Sequence, residues 1–229
     1  MTRKILWLSL GVLATACGDG SDRRASQRGG SGGAALPAAE RPVVLFIGTS
    51  LTAGYGLEVE QAYPALVQEK IDRAGLEFRV VNAGVSGETS AGGLRRIDWL
   101  LREPPAVLVV ELGANDGLRG LDPEAMRQNL REIITRTKEA NPEVRVVIAG
   151  MEAPPNMGQR YTEAFRAVFP ELAQEQRAAL IPFLLDGVAG RRRYNQVDGI
   201  HPTADGHEII ADNVWDVLER VLRTTAGVY

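Results

Sequence analysis

Two kinds of hydrophobic pattern alternate along the chain from Arg41 onward. Short, almost wholly apolar runs are typical of strands that are buried on both faces. They predict five strands, at residues 43–47, 78–81, 106–111, 144–149 and 179–181. The first run ends at Gly48, and several of the others also end in turn-forming residues, which supports their assignment as strands.

The stretches between these runs carry apolar residues every three or four positions, the spacing of an amphipathic helix. They predict helices at residues 61–74, 90–102, 123–140, 161–173 and 204–222. Strands that alternate with helices form a parallel sheet covered on both faces. The pattern therefore predicts an α/β domain over residues 41–229, in three layers around the sheet.

The first forty residues have a different pattern. Arg3 and Lys4 precede an apolar run of about ten residues, which is too short to span a bilayer and is typical of an export signal. Small residues then lead to Cys17, as at a bacterial lipoprotein processing site. We expect residues 1–17 to be a lipoprotein-type signal that ends at a lipidated Cys17, and the protein to be held by that lipid in the cell envelope, facing the periplasm. An ordinary signal peptide cut after Ala16 would instead give a soluble periplasmic or secreted protein.

Residues 18–40 are rich in Gly, Ser, Ala and Arg and have no apolar period. Such a segment cannot form a core, so we expect a flexible tether with a reach on the order of 25 Å. It would join the lipid anchor to the folded domain.

The charge and the cysteine content of the domain exclude several classes of partner and site. Residues 41–229 contain 21 basic and 26 acidic residues, a net charge of −5, which argues against a nucleic-acid partner. Cys17 is the only cysteine and there are two histidines, so the domain has no disulfide, and no spacing suggests a metal site. The sequence implies no cofactor and no protein partner.

Polar residues follow three successive predicted strands. They are Thr49-Ser50, 82–84 and 113–116. Ligands of parallel sheets bind beyond the carboxyl ends of the strands, so these residues are expected to meet at one edge. Each segment could also be an ordinary turn, because Gly, Ser and Asn populate turns. Their common placement favours a site.

Ser50 is the candidate nucleophile at this edge. A serine hydroxyl needs a base, and His201 is placed to supply it, with Asp198 three residues earlier in a tight turn to orient the imidazole. Ordinary surface positions are the alternative for these residues. The other histidine, His207, falls in the first turns of the last predicted helix, where packing or a surface position accounts for it, and it is given no catalytic role.

Ester cleavage also needs hydrogen-bond donors for the oxyanion. Asn115 offers a side-chain amide and Gly84 a main-chain N–H. Asp116 has no assigned catalytic role, because it can simply brace the Asn115 loop.

These segments resemble the four blocks of the SGNH (GDSL) hydrolase family. The matching stretches are 46–52, 81–87, 113–116 and 198–202. The resemblance implies a flavodoxin-like sheet of five parallel strands, with Ser50, Gly84 and Asn115 lining the oxyanion hole. Residues 153–170 and 181–185 resemble the bacterial thioesterase I, lysophospholipase and arylesterase group, although Tyr161, Phe165 and Phe169 have the spacing expected of any helix core.

The resemblance implies a serine esterase for small acyl esters, thioesters or lysolipids. A carbohydrate O-deacetylase of the same fold and a non-catalytic envelope binding protein on this scaffold are the alternatives. One departure from the family pattern concerns the nucleophile: Thr49 stands where the family usually has Asp, which changes the charge beside Ser50.

Overall fold

The computed structural model describes residues 36–227. The predicted leader, Cys17 and most of the predicted tether lie outside this range. At the end of that tether, Ala38–Glu40 form a 3₁₀ turn, and the Leu36 amide donates to the Glu77 carboxylate at 3.0 Å.

A sheet of five parallel strands lies at the centre of the domain, in the order β2-β1-β3-β4-β5. The strands are β1 (Val43–Gly48), β2 (Arg79–Gly84), β3 (Val107–Glu111), β4 (Arg145–Ala149) and β5 (Ala179–Ile181). All of β1 and β3 is buried. The wholly apolar character of these strands in the sequence follows from their central position, with helices on both faces.

Seven α-helices accompany the sheet in the described range. They are α1 (Ser50–Ala53), α2 (Tyr63–Arg73), α3 (Ser90–Leu100), α4 (Ala114–Leu118), α5 (Pro123–Ala140), α6 (Gln159–Gln176) and α7 (Ala204–Thr225). Helix α5 packs against α3 and α6, whereas α2 packs against α7. These two groups form the outer layers, so the predicted three-layer, flavodoxin-like fold is confirmed. Between residues 36 and 227, no helix is both long enough and apolar enough to cross a membrane.

The second strand runs further than the sequence pattern predicts. Residues 82–84 were expected to follow the end of the second strand, but they continue β2, and Gly84 pairs with Gly48 of β1. Helix α1 lies directly against this end of the strand. A Cβ on Gly84 would come within 2.3 Å of the Ala53 main-chain nitrogen. A glycine is therefore needed here for close packing of two backbones.

Candidate active site

Ser50 is the first residue of α1, immediately after the central strand β1. The Thr49 side chain caps this helix by accepting a hydrogen bond from the Leu51 amide at 3.3 Å. The helix ends after one turn at Gly54, whose φ of +73° favours glycine. This sharp turn from a buried strand into a short helix places the Ser50 hydroxyl at the carboxyl edge of the sheet.

The loop before α7 carries His201 and Asp198 to the same place. The two ends of this loop are held together by a bridge between Asn195 and Pro202. Gly199 has a φ of +70°, which lets the chain reverse tightly between the carboxylate and the imidazole.

Ser50, His201 and Asp198 form a continuous hydrogen-bonded row. His201 Nε2 lies 3.0 Å from Ser50 Oγ, and His201 Nδ1 lies 2.6 Å from Asp198 Oδ2. The other carboxylate oxygen of Asp198 accepts hydrogen bonds from the main-chain amides of Ile200 and His201. The hydrogen bond from the His201 side chain, followed by those from the two amides, lowers the pKa of Asp198 to about 2. The carboxylate therefore stays charged and can orient the imidazole.

A cavity of about 710 Å³ opens beside the Ser50 hydroxyl. Its polar groups include Ser50, Asn115 and His201, and most of its remaining wall is apolar. Leu118, Met151, Pro154, Phe183, Leu185 and Ile200 contribute to that wall. A cavity of this size, apolar with a few convergent polar groups, fits a small organic ligand with a hydrocarbon part.

Asn115 lies in α4 and lines this cavity. One N–H of its side-chain amide donates to the Glu88 carbonyl at 3.0 Å, which holds the amide in place. The second N–H makes no hydrogen bond within residues 36–227 and is available to a ligand. Asp116 is buried and accepts hydrogen bonds from the Ser90 amide and hydroxyl at 2.8 and 2.6 Å, so it braces this segment.

Gly84 does not reach the cavity, and its assignment as an oxyanion donor is corrected. Its amide donates to Asn82 Oδ1 at 2.9 Å, because Gly84 is the paired end of β2 instead of part of a turn. Three residues further on, Gly87 lines the cavity with a φ of +78°. The Gly87 amide makes no hydrogen bond within the part of the chain that the structure describes. The block 81–87 contains both glycines, and only their position relative to the end of β2 distinguishes them.

Glu111 is a buried carboxyl group that sequence reasoning missed. It ends β3, directly beneath the Ser50 turn, and accepts hydrogen bonds from the main-chain amides of Thr49 and Thr52 and from both threonine hydroxyls. Burial raises its pKa to about 7, although these four donors act in the opposite direction. Thr49, which replaces the usual aspartate of the family, therefore serves as a neutral donor to Glu111.

His207 lies away from the cavity, and of the two alternatives that the sequence left open, packing or a surface position, the structure shows packing. It is buried, and its Nδ1 accepts a hydrogen bond from the Tyr63 amide at 3.0 Å. Burial lowers its pKa to about 4, so the ring is neutral at physiological pH and stabilises the start of α2.

Several known proteins are similar to this chain in architecture and in sequence. Residues 46–209 match the model of the GDSL-like lipase/acylhydrolase family. The chain is 42% identical over 180 residues to Esterase TesA of Pseudomonas aeruginosa, covering 78% of this chain and 89% of that protein. It is also 42% identical over 176 residues to Thioesterase 1/protease 1/lysophospholipase L1 of Escherichia coli, covering 76% and 82% of the two chains. A crystal structure of TesA superposes with a TM-score of 0.74 at 42% identity, over 78% of this chain and 98% of that one.

Proposed function

As a member of the GDSL-like lipase/acylhydrolase family, this chain is a carboxylic ester hydrolase, and we propose that it cleaves single-chain acyl esters through a Ser50-His201-Asp198 triad and an acyl-enzyme. The row of hydrogen bonds from Ser50 Oγ through the imidazole to Asp198 carries the proposal. The order of the three side chains and the distances between them suit a nucleophilic hydroxyl, a base and an orienting carboxylate, and this supports the proposal.

In the first half of the reaction, Ser50 Oγ attacks the ester carbonyl while His201 Nε2 takes its proton. Asp198 holds the imidazole and stabilises its positive charge. The imidazolium then gives the proton to the departing alcohol, which leaves an acyl group on Ser50. In the second half, His201 activates a water molecule, and hydrolysis of the acyl-enzyme releases the acid and restores the hydroxyl.

The negative charge that develops on the carbonyl oxygen needs donors beside Ser50. We assign this role to the Ser50 and Gly87 main-chain amides and to the free N–H of Asn115. All three residues line the cavity. Donors fixed by the fold before the substrate arrives stabilise the transition state without reorganisation.

The wall of the cavity supports an acyl ester or lysolipid substrate in preference to a sugar acetate. Apolar side chains such as Leu118, Met151 and Phe183 line the space beside Ser50, and these suit a hydrocarbon chain. A carbohydrate O-deacetylase would need polar groups to bind sugar hydroxyls, and apolar groups predominate here. The names of the relatives, esterase and thioesterase/lysophospholipase, agree with this class of substrate.

The direct test compares hydrolysis of p-nitrophenyl acetate, butyrate and octanoate by the wild type and by variants. Ser50→Ala and His201→Ala should each lose several orders of magnitude in kcat. His207→Ala is the matched control and should retain kcat, because that ring does not reach the cavity. A serine-directed organophosphate should inactivate the wild type. Full activity in a folded Ser50→Ala protein would refute the proposed nucleophile.

We further propose that Cys17 is lipidated and that the enzyme is held in the cell envelope by this anchor. The support is the sequence alone: a short apolar run, small residues, the only cysteine and then a polar tether. Cys17→Ser should release the enzyme into the soluble fraction with unchanged kcat on a short ester. Membrane association that persists in this variant would contradict the anchor.

For an exported enzyme, we propose that the physiological substrate is an oxygen ester, such as a lysophospholipid, instead of acyl-CoA. Acyl-CoA is expected in the cytoplasm, and the net charge of −5 over residues 41–229 gives little general attraction for its phosphates. The test compares kcat/KM for palmitoyl-CoA, a lysophosphatidyl lipid and short aryl esters, and profiles lipids in a deletion strain. A marked preference for acyl-CoA without a change in lysolipids would exclude this proposal.

A further inference from the structure

Gln196 lies in the loop that carries His201, between the bridged ends Asn195 and Pro202, and its side chain reaches the turn that follows Ser50. Its side-chain amide uses both hydrogens: Nε2 donates to the Tyr55 carbonyl at 2.8 Å and to the Pro202 carbonyl at 2.9 Å. Its main-chain amide donates to the His201 carbonyl at 2.7 Å. One residue thus ties together segments that are far apart in the sequence.

The two carbonyls that the side chain binds are close to the reacting groups along the chain. Tyr55 follows Ser50 by five residues, and its amide donates to the Ser50 carbonyl at 3.0 Å. Pro202 directly follows His201. The Gln196 side chain therefore connects the backbone that positions the hydroxyl to the backbone that positions the imidazole. The two atoms that this connection would hold in place, Ser50 Oγ and His201 Nε2, lie 3.0 Å apart.

Close packing fixes the side chain in this position. Gly56, with a φ of +78°, lies directly against the Gln196 amide, and a Cβ at Gly56 would come within 2.6 Å of Gln196 Oε1. The Tyr55 ring, which precedes Gly56, lies against the His201 ring with centroids 4.4 Å apart. The amide, the Tyr55 carbonyl and the imidazole thus form one packed unit at the edge of the cavity.

We infer that Gln196 is a positioning residue. It joins the turn after Ser50 to the loop that carries His201, and so keeps Ser50 Oγ and His201 Nε2 at hydrogen-bonding distance for proton transfer. The inference rests on the proposed Ser50-His201 pair. General-base catalysis requires the two atoms within hydrogen-bonding reach, and a misplacement of about 1 Å costs on the order of 100-fold in rate. Gln196 acts through Ser50 and His201 and has no chemical role of its own.

Two substitutions test the inference. Gln196→Met keeps the length of the side chain and removes both donors, whereas Gln196→Glu at neutral pH puts a carboxylate against two carbonyl oxygens. With p-nitrophenyl acetate, kcat should fall about 10-fold for Gln196→Met and by up to about 100-fold for Gln196→Glu. KM should stay within about twofold, because the wall of the cavity is unchanged. Inactivation by a small organophosphonate should slow in parallel, since it also depends on the Ser50-His201 pair.

Gln68 offers a matched control. It also joins separate segments through its side chain, donating to the Phe78 carbonyl at 3.2 Å and accepting from the Val80 amide at 2.7 Å, but it lies outside the site. Gln68→Met should lower Tm and leave kcat unchanged. All variants are compared at a temperature where circular dichroism shows them to be folded.

An equal kcat in the Gln196→Met and Gln68→Met proteins, at equal folded fraction, would overturn the inference. So would a loss that falls on KM alone. Gln196→Asn, which is one methylene shorter, provides a milder variant if the others fail to fold, and it should show the same loss in kcat to a smaller degree. Failure of the proposed function itself would be recognised separately, by activity that persists in Ser50→Ala.

Discussion

Glu111 is an unusual residue to find beneath a nucleophile, because a buried carboxylate is costly without a cation nearby. Its partners are neutral donors from Thr49 and Thr52, and its pKa is raised to about 7 from 4.5. A carboxyl group with a raised folded-state pKa contributes stability that is full below the unfolded pKa and is lost as pH rises through the folded pKa. For Glu111, this window runs from about pH 4.5 to about pH 7.

The Glu111→Gln variant removes this titration, although it also replaces an acceptor oxygen by an NH₂ group. We expect the wild type to lose up to about 3 kcal/mol between pH 4.5 and 8 through this group, and the variant to lack that component. Urea denaturation at a series of pH values measures the difference. Parallel curves for the two proteins would show that Glu111 does not change its ionisation in this range.

Asn115 should affect the transition state without affecting the fold. Within residues 36–227 its side chain makes one hydrogen bond, to the Glu88 carbonyl, and the residue lines the cavity. Asn115→Ala should lower kcat by about 10²–10³-fold, the usual cost of removing one oxyanion donor, with little change in Tm. Steady-state kinetics on p-nitrophenyl butyrate and a thermal melt would measure the two effects. A fall in Tm that accounts for the whole loss of activity would assign Asn115 a structural role instead.

At Gly84, helix α1 and strand β2 lie so close that no side chain fits between their backbones. Gly84→Ala would place a methyl group 2.3 Å from the Ala53 nitrogen and 2.7 Å from the Thr52 carbonyl carbon, and backbone cannot rotate out of the way as a side chain can. We expect a loss of stability of about 1–3 kcal/mol, as for overpacking in a core, together with reduced activity because α1 carries Ser50.

Gly87→Ala is the comparison for this prediction. Among the residues that the structure describes, the only neighbour of its Cβ within 4 Å would be the Arg119 guanidinium, at 3.9 Å. The cost therefore comes from the φ of +78° and amounts to about 1 kcal/mol. Thermal melts of both variants should show the larger loss of stability in Gly84→Ala, and kcat is measured on the same preparations. A larger loss of stability in Gly87→Ala than in Gly84→Ala would contradict the packing described for α1.

The sequence predicts the long elements of this fold better than the short ones. Helices α5 and α7 were recognisable because several turns of apolar spacing mark them, and β1 and β3 because they are wholly apolar. Helices α1 and α4 have four and five residues, too few to show a period. The end of β2 was missed since its residues favour turns, and pairing with β1 overrides that preference.

The residues of the candidate site also divide into those that a local sequence pattern marks and those that it does not. Asp198 and His201 could be paired from the sequence, because they lie three residues apart in one loop. Their residue types suggested an orienting carboxylate and a base. Glu111 and Gln196 were not recognised, because their importance depends on contacts with residues 59 and 141 positions away. Such contacts leave no local pattern in a single sequence.

For the molecule as a whole, two buried groups make stability depend on pH in opposite directions. The pKa of His207 is lowered from 6.5 to about 4 by burial, so its contribution is full above pH 6.5 and is lost as pH falls towards 4. Glu111 contributes in the reverse sense between about pH 4.5 and 7. Within the overlapping range the two contributions offset each other.

His207→Gln tests this balance, because a glutamine oxygen can still accept a hydrogen bond from the Tyr63 amide. The variant should lose less stability than the wild type on acidification from pH 7 to 4, by up to about 3 kcal/mol. Denaturation at both pH values gives the comparison. Equal acid sensitivity in the two proteins would show that His207 is not the group that protonates.

The first and last residues that the structure describes, 36 and 227, lie at the edge of the sheet where the strands begin, opposite the cavity. Residues 36–40 lie beside Glu77, just before β2, and Thr224 near the end of α7 lines a surface cavity with Arg145, the first residue of β4. The six residues of β1 alone separate this edge from Ser50 by about 20 Å. A fusion partner or solid support attached at residue 36 or residue 227 would therefore lie at the edge opposite the cavity and leave the mouth of the cavity unobstructed.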